Sequence, residues 1–257
     1  MLTEKNNRNI SIAIITHNEE GNIGACIQSV KKLGLIVVVD SGSTDQTAKN
    51  ISTTDAKLLF KPWINFSIQK QYAVDNCPTD WVLILDADER LTAQLIEEIK
   101  NLVLNDPSIA YAIPRRSFFL GDEVKYCGWR PDYVIRLFNR NHCKFNGREV
   151  HETIIGFKKV QYLKNSLVHY SYQSEADIDK KVSLYSDLGA QAISTKRTKI
   201  PPFEPVLRAT WIFLKTFLLR LGFLDRLTGF RVSMMNYEST YLKYKKAQQL
   251  LNPTKEH

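Results

Sequence analysis

The sequence predicts an α/β fold, in which a mostly parallel sheet carries flanking helices and a helical extension follows at the C-terminus. Short, unbroken apolar runs alternate with segments whose apolar residues recur at helical spacing. Unbroken apolar runs are typical of parallel strands that helices cover on both faces. The last third of the chain lacks this alternation and is rich in basic residues, which indicates a separate helical part.

Each element follows from its own local pattern. Aliphatic and β-branched runs predict strands over 10–15, 35–40, 57–60, 81–85 and 134–138. Apolar residues at helical spacing predict helices after residues 21 and 45, and over 66–76 and 92–104. In the last of these helices, the apolar residues that share one face are Leu95, Ile96, Ile99, Leu102 and Val103.

Several of these strands end in a polar residue. Asp40 and Asp86 stand at strand ends, and His17 lies just past the first strand. Ligands of parallel sheets bind at the carboxyl ends of strands, so we expect a ligand site there. The sequence has no G-x-G-x-x-G after the first strand and no G-x-x-x-x-G-K-[ST], which excludes the usual dinucleotide and P-loop sites.

The segment VLILDADE (82–89) ends a buried type of strand with three carboxylates. Asp86 and Asp88 are one residue apart, so both can turn toward one divalent cation. Mg²⁺ and Mn²⁺ prefer oxygen ligands, and Mg²⁺ uses only one or two protein carboxylates beside water and phosphate. The spacing therefore indicates a site that binds a diphosphate through a divalent cation. The alternative is a solvated turn with acids at a helix N-terminus, and Glu89 fits that interpretation.

The motifs SIAIITHNEEGNIGACIQSV, IVVVDSGSTDQT and WVLILDADERLT resemble those of the family 2 glycosyltransferases, which have the GT-A fold. The segments FSIQKQYA (66–73), RLFNR (136–140) and FNGREVHE (145–152) are similar to lipopolysaccharide core β-glucosyltransferases that act on inner-core heptose. The resemblance covers about residues 9–175. It implies a catalytic domain over 1–175. The basic and apolar composition of the remainder predicts a membrane-associating helical extension over 176–257.

The resemblance also implies roles for single residues. The donor, UDP-glucose, would be bound by Thr16, Asn18, Glu19, Asp40, Gln69, Lys70 and Asp86. Gln69 and Lys70 could equally belong to a solvated helix face. The divalent metal, Mg²⁺ or Mn²⁺, would be held by Asp88 directly, with Asp86 nearby. His151 could complete the metal shell or pair with phosphate, and a hydrogen-bonded structural histidine is the alternative.

The implied reaction is an inverting transfer by a single displacement at the anomeric carbon. The acceptor hydroxyl must lose a proton as it attacks, which requires a general base. Glu152 is the predicted base; the other candidates are Asp122, Glu123, Asp132 and Glu149. Trp129 and Arg130 are predicted to bind the acceptor sugar, although a core tryptophan is an open alternative.

The C-terminal third has a local excess of positive charge. The net charge of the chain is +8, and the segment 196–231 contains eight basic residues against Glu204 and Asp225. The run VLRATWIFLKTFLLRL (206–221) is long and apolar, but Lys215 would lie near the centre of a bilayer if it spanned one. We therefore expect a helix that lies on an anionic membrane surface with Arg208, Lys215 and Arg226 on one side. A helix packed on the main domain or on a dimer partner is the alternative.

These observations predict a cytoplasmic protein that is peripheral on the inner face of the cytoplasmic membrane. The first residues show no apolar signal-peptide region, and the cysteines Cys26, Cys77, Cys127 and Cys143 fit free thiols. A zinc site built from Cys127, His142, Cys143 and His151 is a weaker alternative, because the spacing matches no common zinc motif. Nucleic acid is not expected as a partner, since a sugar-nucleotide site already accounts for the fold.

Other functions remain open at this point. A different family 2 enzyme could use another UDP-sugar or another envelope-polysaccharide acceptor. A phosphatase with a nucleophilic DxD usually carries it after the first strand, whereas this DxD follows roughly the fourth. A non-catalytic membrane-binding module that retains the fold is the third possibility.

Overall fold

A computed structural model of the chain describes residues 10–148 and 152–251. The described residues form two compact units. The first contains the described residues up to Arg115 and those from Asp132 to His169. The second contains Arg116–Pro131 and the described residues from Tyr170 onward, so a short internal segment belongs with the C-terminal third.

The strands are, in chain order, β1 (Ile10–Thr16), β2 (Leu35–Asp40), β3 (Lys57–Phe60), β4 (Trp81–Asp86), β5 (Glu89–Leu91), β6 (Ile109–Phe119), β7 (Asp122–Glu123), β8 (Tyr133–Asn139), β9 (Lys144–Phe145), β10 (Ile154–Ile155), β11 (Lys159–Tyr162) and β12 (Leu167–Tyr172). The α-helices are α1 (Ile23–Val30), α2 (Thr47–Ser52), α3 (Phe66–Asp75), α4 (Ala93–Lys100), α5 (Glu175–Ser194), α6 (Glu204–Leu214) and α7 (Arg226–Leu251). A π-helical segment (Lys215–Leu219) continues α6, and a 3-10 segment (Gly222–Asp225) precedes α7.

The predicted α/β fold is confirmed, and the first strands form a parallel sheet. β1 lies between β2 and β4 and is parallel to both, and β3 extends the sheet beyond β2. In this register Thr16 is opposite Asp40, and Ile15 is opposite Asp86. The three strands therefore end side by side, with their polar terminal residues at one edge.

The sheet is mixed because most of its later strands pair in the antiparallel sense, although β11 is parallel to β6. The strand order is β3-β2-β1-β4-β8-β6-β12-β5, and β8 is antiparallel to both β4 and β6. A parallel neighbour needs a long crossover, usually a helix, and no helix lies between β6 and β8 in the described chain. The prediction of mostly parallel pairing thus holds for the first half of the sheet.

The core of the first unit lies on both faces of the sheet. Alternate residues of β1 point to opposite sides: Ile12 and Ile14 join a cluster with α1 and α4, whereas Ala13 and Ile15 join a cluster with α3. All four side chains are at most 7 % exposed. The unbroken apolar run in the sequence is therefore explained by a strand whose two faces are both covered by helices.

The predicted helix over 92–104 is shorter in the structure. Thr92 caps α4 by accepting a hydrogen bond from the Leu95 N–H, and the helix ends at Lys100. Val103, which the helical pattern placed on the buried face, is 73 % exposed. The prediction for Val103 is wrong because the chain leaves the helix before reaching it.

The second unit is mainly helical. Ser174 and Asp177 form a capping box at the start of α5, and α7 packs along both α5 and α6. A side chain at Gly229 would meet the Gly222 carbonyl oxygen at 1.8 Å, so the start of α7 can approach the 3-10 segment this closely only with glycine. Within the described residues, no helix combines the length and the apolarity that crossing a membrane requires.

One feature of the predicted interfacial helix is wrong. Arg208 lies in α6 and Lys215 begins the π-helical segment, but Arg226 begins α7 after a break in the helix. The break contains Leu221 with a left-handed backbone at φ 56°. The three basic residues therefore do not share a face of one continuous helix.

Candidate active site

The polar edge of the parallel strands is organised by Asp40. This carboxylate is 6 % exposed and accepts hydrogen bonds from the Gly42 N–H at 3.0 Å, the Ser43 N–H at 2.9 Å and the Ser43 hydroxyl. Gly42 has φ 101°, a left-handed conformation that favours glycine. The loop after β2 is thus folded around the acid that ends the strand.

The loop after β1 is tied to the loop after β2. Asn18 has φ 54°, its side-chain oxygen accepts the Thr44 N–H at 2.8 Å, and its own N–H donates to the Ser43 hydroxyl at 2.8 Å. The Glu19 N–H donates to the Thr47 hydroxyl at 2.8 Å. Asn18 and Glu19 therefore lie beside the Asp40 loop. The three residues are close enough to line one binding site.

Beyond β4 lies a buried charge cluster, which we define as Lys70, Asp86, Glu89 and Arg136. Arg136 Nη2 lies 2.7 Å from Asp86 Oδ2 and 2.5 Å from Glu89 Oε1. Glu89 Oε2 accepts the Asp86 N–H at 3.1 Å, and the Glu89 side chain is 0 % exposed. The interpretation of Glu89 as a solvated helix-start acid is wrong, because it lies in β5 and binds the arginine.

The cluster sets the charge state of Asp86 and of Arg136. Burial alone would raise the pKa of Asp86, but Lys70 and Arg136 outweigh it and hold that pKa far below its usual value. Burial would lower the pKa of Arg136, but Glu89 and Asp86 raise it. Asp86 and Arg136 are therefore charged at neutral pH, and side-chain cations balance much of the acid in VLILDADE.

Lys70 joins the DxD segment to the predicted base. Its Nζ lies 3.1 Å from Asp86 Oδ1 and 3.2 Å from Glu152 Oε1. The Lys70 side chain is 6 % exposed, and Gln69 beside it is also buried. The alternative of a solvated helix face for these two residues is wrong, because α3 turns both of them inward.

Asp88 faces a histidine that the sequence did not indicate. Asp88 Oδ2 lies 3.2 Å from His169 Nε2, and both side chains are mostly buried. His169 is opposite Glu89 in the pairing of β12 with β5, so strand register brings it to the DxD segment. His151, the predicted third ligand, lies outside the described residues.

A divalent cation fits the Asp88–His169 pair better than it fits Asp86. A carboxylate oxygen and an imidazole nitrogen already face each other there, and both are ligands that such ions accept. Both oxygens of Asp86, in contrast, contact cationic side chains. No group of three or more histidine, cysteine or acidic residues that could hold a metal occurs within 10–148 and 152–251, so the alternative of a zinc site there is wrong.

The other base candidates have partners elsewhere. Asp132 binds Arg115 at 2.8 Å within the first unit. Glu123 pairs with an arginine, and Asp122 accepts the Thr228 hydroxyl at 2.7 Å, both within the second unit. Glu149 lies outside the described residues. Of the described candidates, Glu152 alone contacts the buried charge cluster.

Trp129 and Arg130 belong to the second unit. Trp129 is half-buried and its ring packs near Phe119 and Tyr172, with ring centroids 6.5 and 6.3 Å apart. Arg130 pairs with Glu123. Trp129 thus packs against the core of the second unit but stays partly exposed, which fits the core alternative and leaves the predicted acceptor contact a prediction.

Several polar atoms at this edge are buried without a hydrogen-bond partner in the described chain. Two of them, the Thr16 hydroxyl oxygen and the Gln69 side-chain oxygen, belong to side chains that also form no ion pair there. Gln69 uses its amide nitrogen on the Lys61 carbonyl oxygen at 3.2 Å, which leaves its oxygen facing no donor. Buried acceptors of this kind are costly unless a ligand or water satisfies them.

Comparison with known proteins identifies the class. A family model, glycosyl transferase family 2, matches residues 11–163, and the chain belongs to this family. An uncharacterised glycosyltransferase of Rickettsia typhi is 32 % identical over 95 % of this chain and 88 % of its own length. The lipopolysaccharide core biosynthesis glycosyltransferase LpsC of Rhizobium meliloti is 30 % identical over 91 % of this chain and 93 % of its own.

The protein is therefore a glycosyltransferase with the GT-A fold, as its motifs indicate. Among solved structures, S. aureus TarS 1-349 in complex with UDP matches with a TM-score of 0.47 and 14 % identity over 93 % of this chain and 92 % of that one. A glucosyl-3-phosphoglycerate synthase from Mycobacterium tuberculosis, with Mn²⁺ and UDP-glucose, matches with a TM-score of 0.35 and 23 % identity over 44 % of each chain. The assignment to the family rests on the family model and on the two relatives, and not on these two solved structures.

Proposed function

We propose that this glycosyltransferase moves glucose from UDP-glucose to a lipopolysaccharide inner-core acceptor such as heptose, with inversion at the anomeric carbon. The observation that supports it most directly is Lys70, whose Nζ contacts both Asp86 of the DxD segment and Glu152. The LpsC relative supports the acceptor class, and the core-glucosyltransferase motifs support the donor. Another UDP-sugar or another envelope polysaccharide remains the second candidate of the same family.

The proposed donor site is the polar edge of β1, β2 and β4. Thr16, Asn18, Glu19 and Asp40 would surround the nucleotide, and Gln69 would meet it from α3. The unpartnered oxygens of Thr16 and Gln69 support this proposal, since a bound uridine offers N–H and O–H donors to such atoms. Asp86, held by Lys70 and Arg136, would lie next to the ribose and diphosphate.

We propose that Asp88 and His169 hold the divalent metal, Mg²⁺ or Mn²⁺. The pair supplies two ligands, which leaves the other positions for diphosphate oxygens and water. When bound, the ion would neutralise the charge that develops on the departing UDP. His169 thus takes the role that the sequence assigned to His151.

Glu152 is the proposed general base. It would accept the proton of the acceptor hydroxyl as that oxygen attacks the anomeric carbon, while UDP departs on the opposite side. The C–O bond to the acceptor forms as the C–O bond to the diphosphate breaks, so an α-linked donor gives a β-glycoside. Lys70 would hold the Glu152 carboxylate in position beside the DxD segment, which a base needs if it is to reach the proton it accepts.

The acceptor contacts and the cellular location are further parts of this proposal. Trp129 and Arg130 would contact the acceptor sugar. The extension over 176–257 would hold the catalytic domain over 1–175 on the inner face of the cytoplasmic membrane, where lipid-anchored acceptors are presented. The basic segment 196–231 supports an anionic membrane as the partner.

Calorimetric titration of UDP-glucose, with and without Mn²⁺, tests the proposal. We expect metal-dependent binding by the wild type and its loss in both Asp88→Ala and His169→Ala. Asp55→Ala, which removes an acid elsewhere in the first unit, is the matched control and should bind as the wild type does. Equal binding with and without metal, or unchanged binding by Asp88→Ala, would contradict the proposed metal site.

A transfer assay tests the base. Glu152→Gln should bind UDP-glucose normally but transfer it on the order of 1,000-fold more slowly, since general bases contribute roughly 10²–10⁴. Near-normal turnover by this variant would show that another group is the base. Competition with UDP-galactose and UDP-N-acetylglucosamine in the same titration identifies the donor sugar.

A further inference from the structure

Along α6 and the π-helical segment, the second unit exposes a row of large apolar side chains. Its members recur every three or four residues, so those within the helix share one face, whereas the last, Leu221, lies in the break after the helix; each member is between 39 and 77 % exposed. We call it the apolar stripe: Phe203, Leu207, Trp211, Leu214, Leu218 and Leu221. A row of this length is rare on the surface of a monomeric protein and marks a contact site.

The orientation of the stripe is fixed by packing. The opposite face of the same helix is buried at Pro205, Ala209 and Thr216, and α6 packs against α7. Phe213 and Phe217 also turn inward and pack on Phe230 of α7, with ring centroids 5.8 and 6.0 Å from its ring. The stripe is therefore presented outward by a helix that is already anchored in its own unit.

The turn after the stripe is also apolar and exposed. Phe223, Leu224 and Leu227 are each 45–68 % exposed, and Leu219, at the end of the π-helical segment, is 67 % exposed. The turn is held in place by Asp225, whose carboxylate accepts the backbone N–H groups of residues 125 and 126 at 3.1 and 2.8 Å. A fixed turn with exposed leucines extends the apolar surface beyond the end of the helix.

The charges beside this surface have one sign. Lys215, Arg220 and Arg226 make no ion pair within the described part of the chain. The two acids of the segment are already engaged: Glu204 binds arginines, and Asp225 binds backbone N–H groups. An apolar row with uncompensated cations complements a partner that is apolar and anionic.

We propose that the apolar stripe and the turn after it dock on an anionic lipid bilayer, with Trp211 at the level of the headgroups. A second copy of this chain would bring the same cations together in a symmetric contact, which repulsion disfavours. A bilayer with anionic lipid offers acyl chains to the leucines and negative charge to the cations. The inference rests on the proposed membrane location, and it assigns the contact to apolar residues instead of one basic helix face.

Sedimentation with vesicles tests this surface. The test variant is the pair Leu207→Ser with Leu218→Ser, and the matched control is Leu184→Ser with Leu188→Ser, two leucines of α5 that are 52 and 46 % exposed. With vesicles of phosphatidylglycerol and phosphatidylcholine, we expect the stripe pair to bind roughly tenfold or more weakly than the wild type, because it loses buried apolar area. The control should bind as the wild type does, and pure phosphatidylcholine should bind less of all three proteins.

Three outcomes would overturn the inference. The wild type could fail to bind anionic vesicles at low salt, or the stripe pair could bind as tightly as the wild type. Light scattering could instead show that the wild type is a dimer and that the stripe pair is a monomer, while the wild type binds no vesicles. The partner of the stripe would then be a second copy of this chain.

UDP-glucose binding, measured without vesicles, separates this inference from the proposed transfer. It should be the same in the stripe pair and the wild type. If the wild type binds vesicles but no UDP-sugar, the inferred membrane contact is supported and the proposed transfer from UDP-glucose is contradicted.

Discussion

Glu89 and Arg136 in the first unit are 0 and 6 % exposed although both are charged, whereas Leu207 and Trp211 in the second are 68 and 57 % exposed although both are apolar. Each arrangement is unfavourable by itself. A buried charge loses its hydration, and an exposed leucine orders water that burial would release. The two units thus depart in opposite directions from the usual distribution of charged and apolar residues.

This difference between buried charges and exposed apolar residues indicates which kind of ligand each unit can bind. The buried charges are fixed by one another, which gives a rigid polar site for a small charged ligand at the end of a sheet. The exposed apolar residues are fixed because the other face of their helix packs on α7, which suits a broad partner. Departures from the usual distribution are expected at functional sites.

The strongest test of this comparison removes a buried charge. Glu89→Gln leaves Arg136 with one carboxylate in a buried site, so we expect a loss of roughly 3–5 kcal/mol in the free energy of unfolding. Urea denaturation measures it. The double variant Glu89→Gln with Arg136→Met should recover part of the loss, because the uncompensated charge is then absent. A single variant that is as stable as the wild type would mean that the cluster is not buried in solution.

Lys70→Met tests whether the cluster positions the proposed base. We expect kcat to fall about 100-fold, since a misplaced catalytic group costs on the order of 10². The KM for UDP-glucose should change much less, and Lys70→Arg should recover part of kcat. An equal rise in KM with unchanged kcat would instead assign Lys70 to donor binding alone.

Helix caps should behave alike in the two units, because they are local. Asn65 accepts the Ile68 N–H at 2.9 Å at the start of α3, and Ser174 accepts the Asp177 N–H at 3.1 Å at the start of α5. We expect Asn65→Ala and Ser174→Ala to cost about 1 kcal/mol each in urea denaturation. A much larger loss in either one would show that its cap also supports tertiary packing.

The smallest effect is expected for the ion pair of Glu204 with Arg208 in the second unit. Arg208 Nε lies 2.5 Å from Glu204 Oε1, one helical turn apart, and the arginine is half-exposed. Arg208→Gln should cost less than about 1 kcal/mol, because the lost partner is half-exposed and Glu204 keeps its pair with Arg197. A loss as large as that of Glu89→Gln would remove the contrast between buried and exposed charge.

The strands of the parallel half were predictable because they are buried on both faces, and short, unbroken apolar runs that alternate with helical patterns are typical of such strands. Asp40 and the DxD segment were predictable for a related reason, since strand ends of a parallel sheet meet at one edge. The candidate base Glu152 came from a motif, and its contact with Lys70 is consistent with that choice.

Glu89, Arg136 and His169 were not predictable in the same way. Their roles depend on antiparallel pairing between strands that are far apart in the chain, such as β5 with β12. Arg136 lies 50 residues from Asp86, and no local pattern records that its side chain ends beside that acid. The one available signal was the RLFNR motif, which places an arginine inside an apolar strand.

The sequence by itself determined the α/β fold, the family, the carboxylate pair at a strand end and the excess of positive charge near the C-terminus, because each is a property of short segments. Tertiary structure decided which residue neutralises each acid, which histidine faces Asp88 and which side of α6 is exposed. Those outcomes depend on register and on helix packing, where the free energy depends on residues that are distant in the chain.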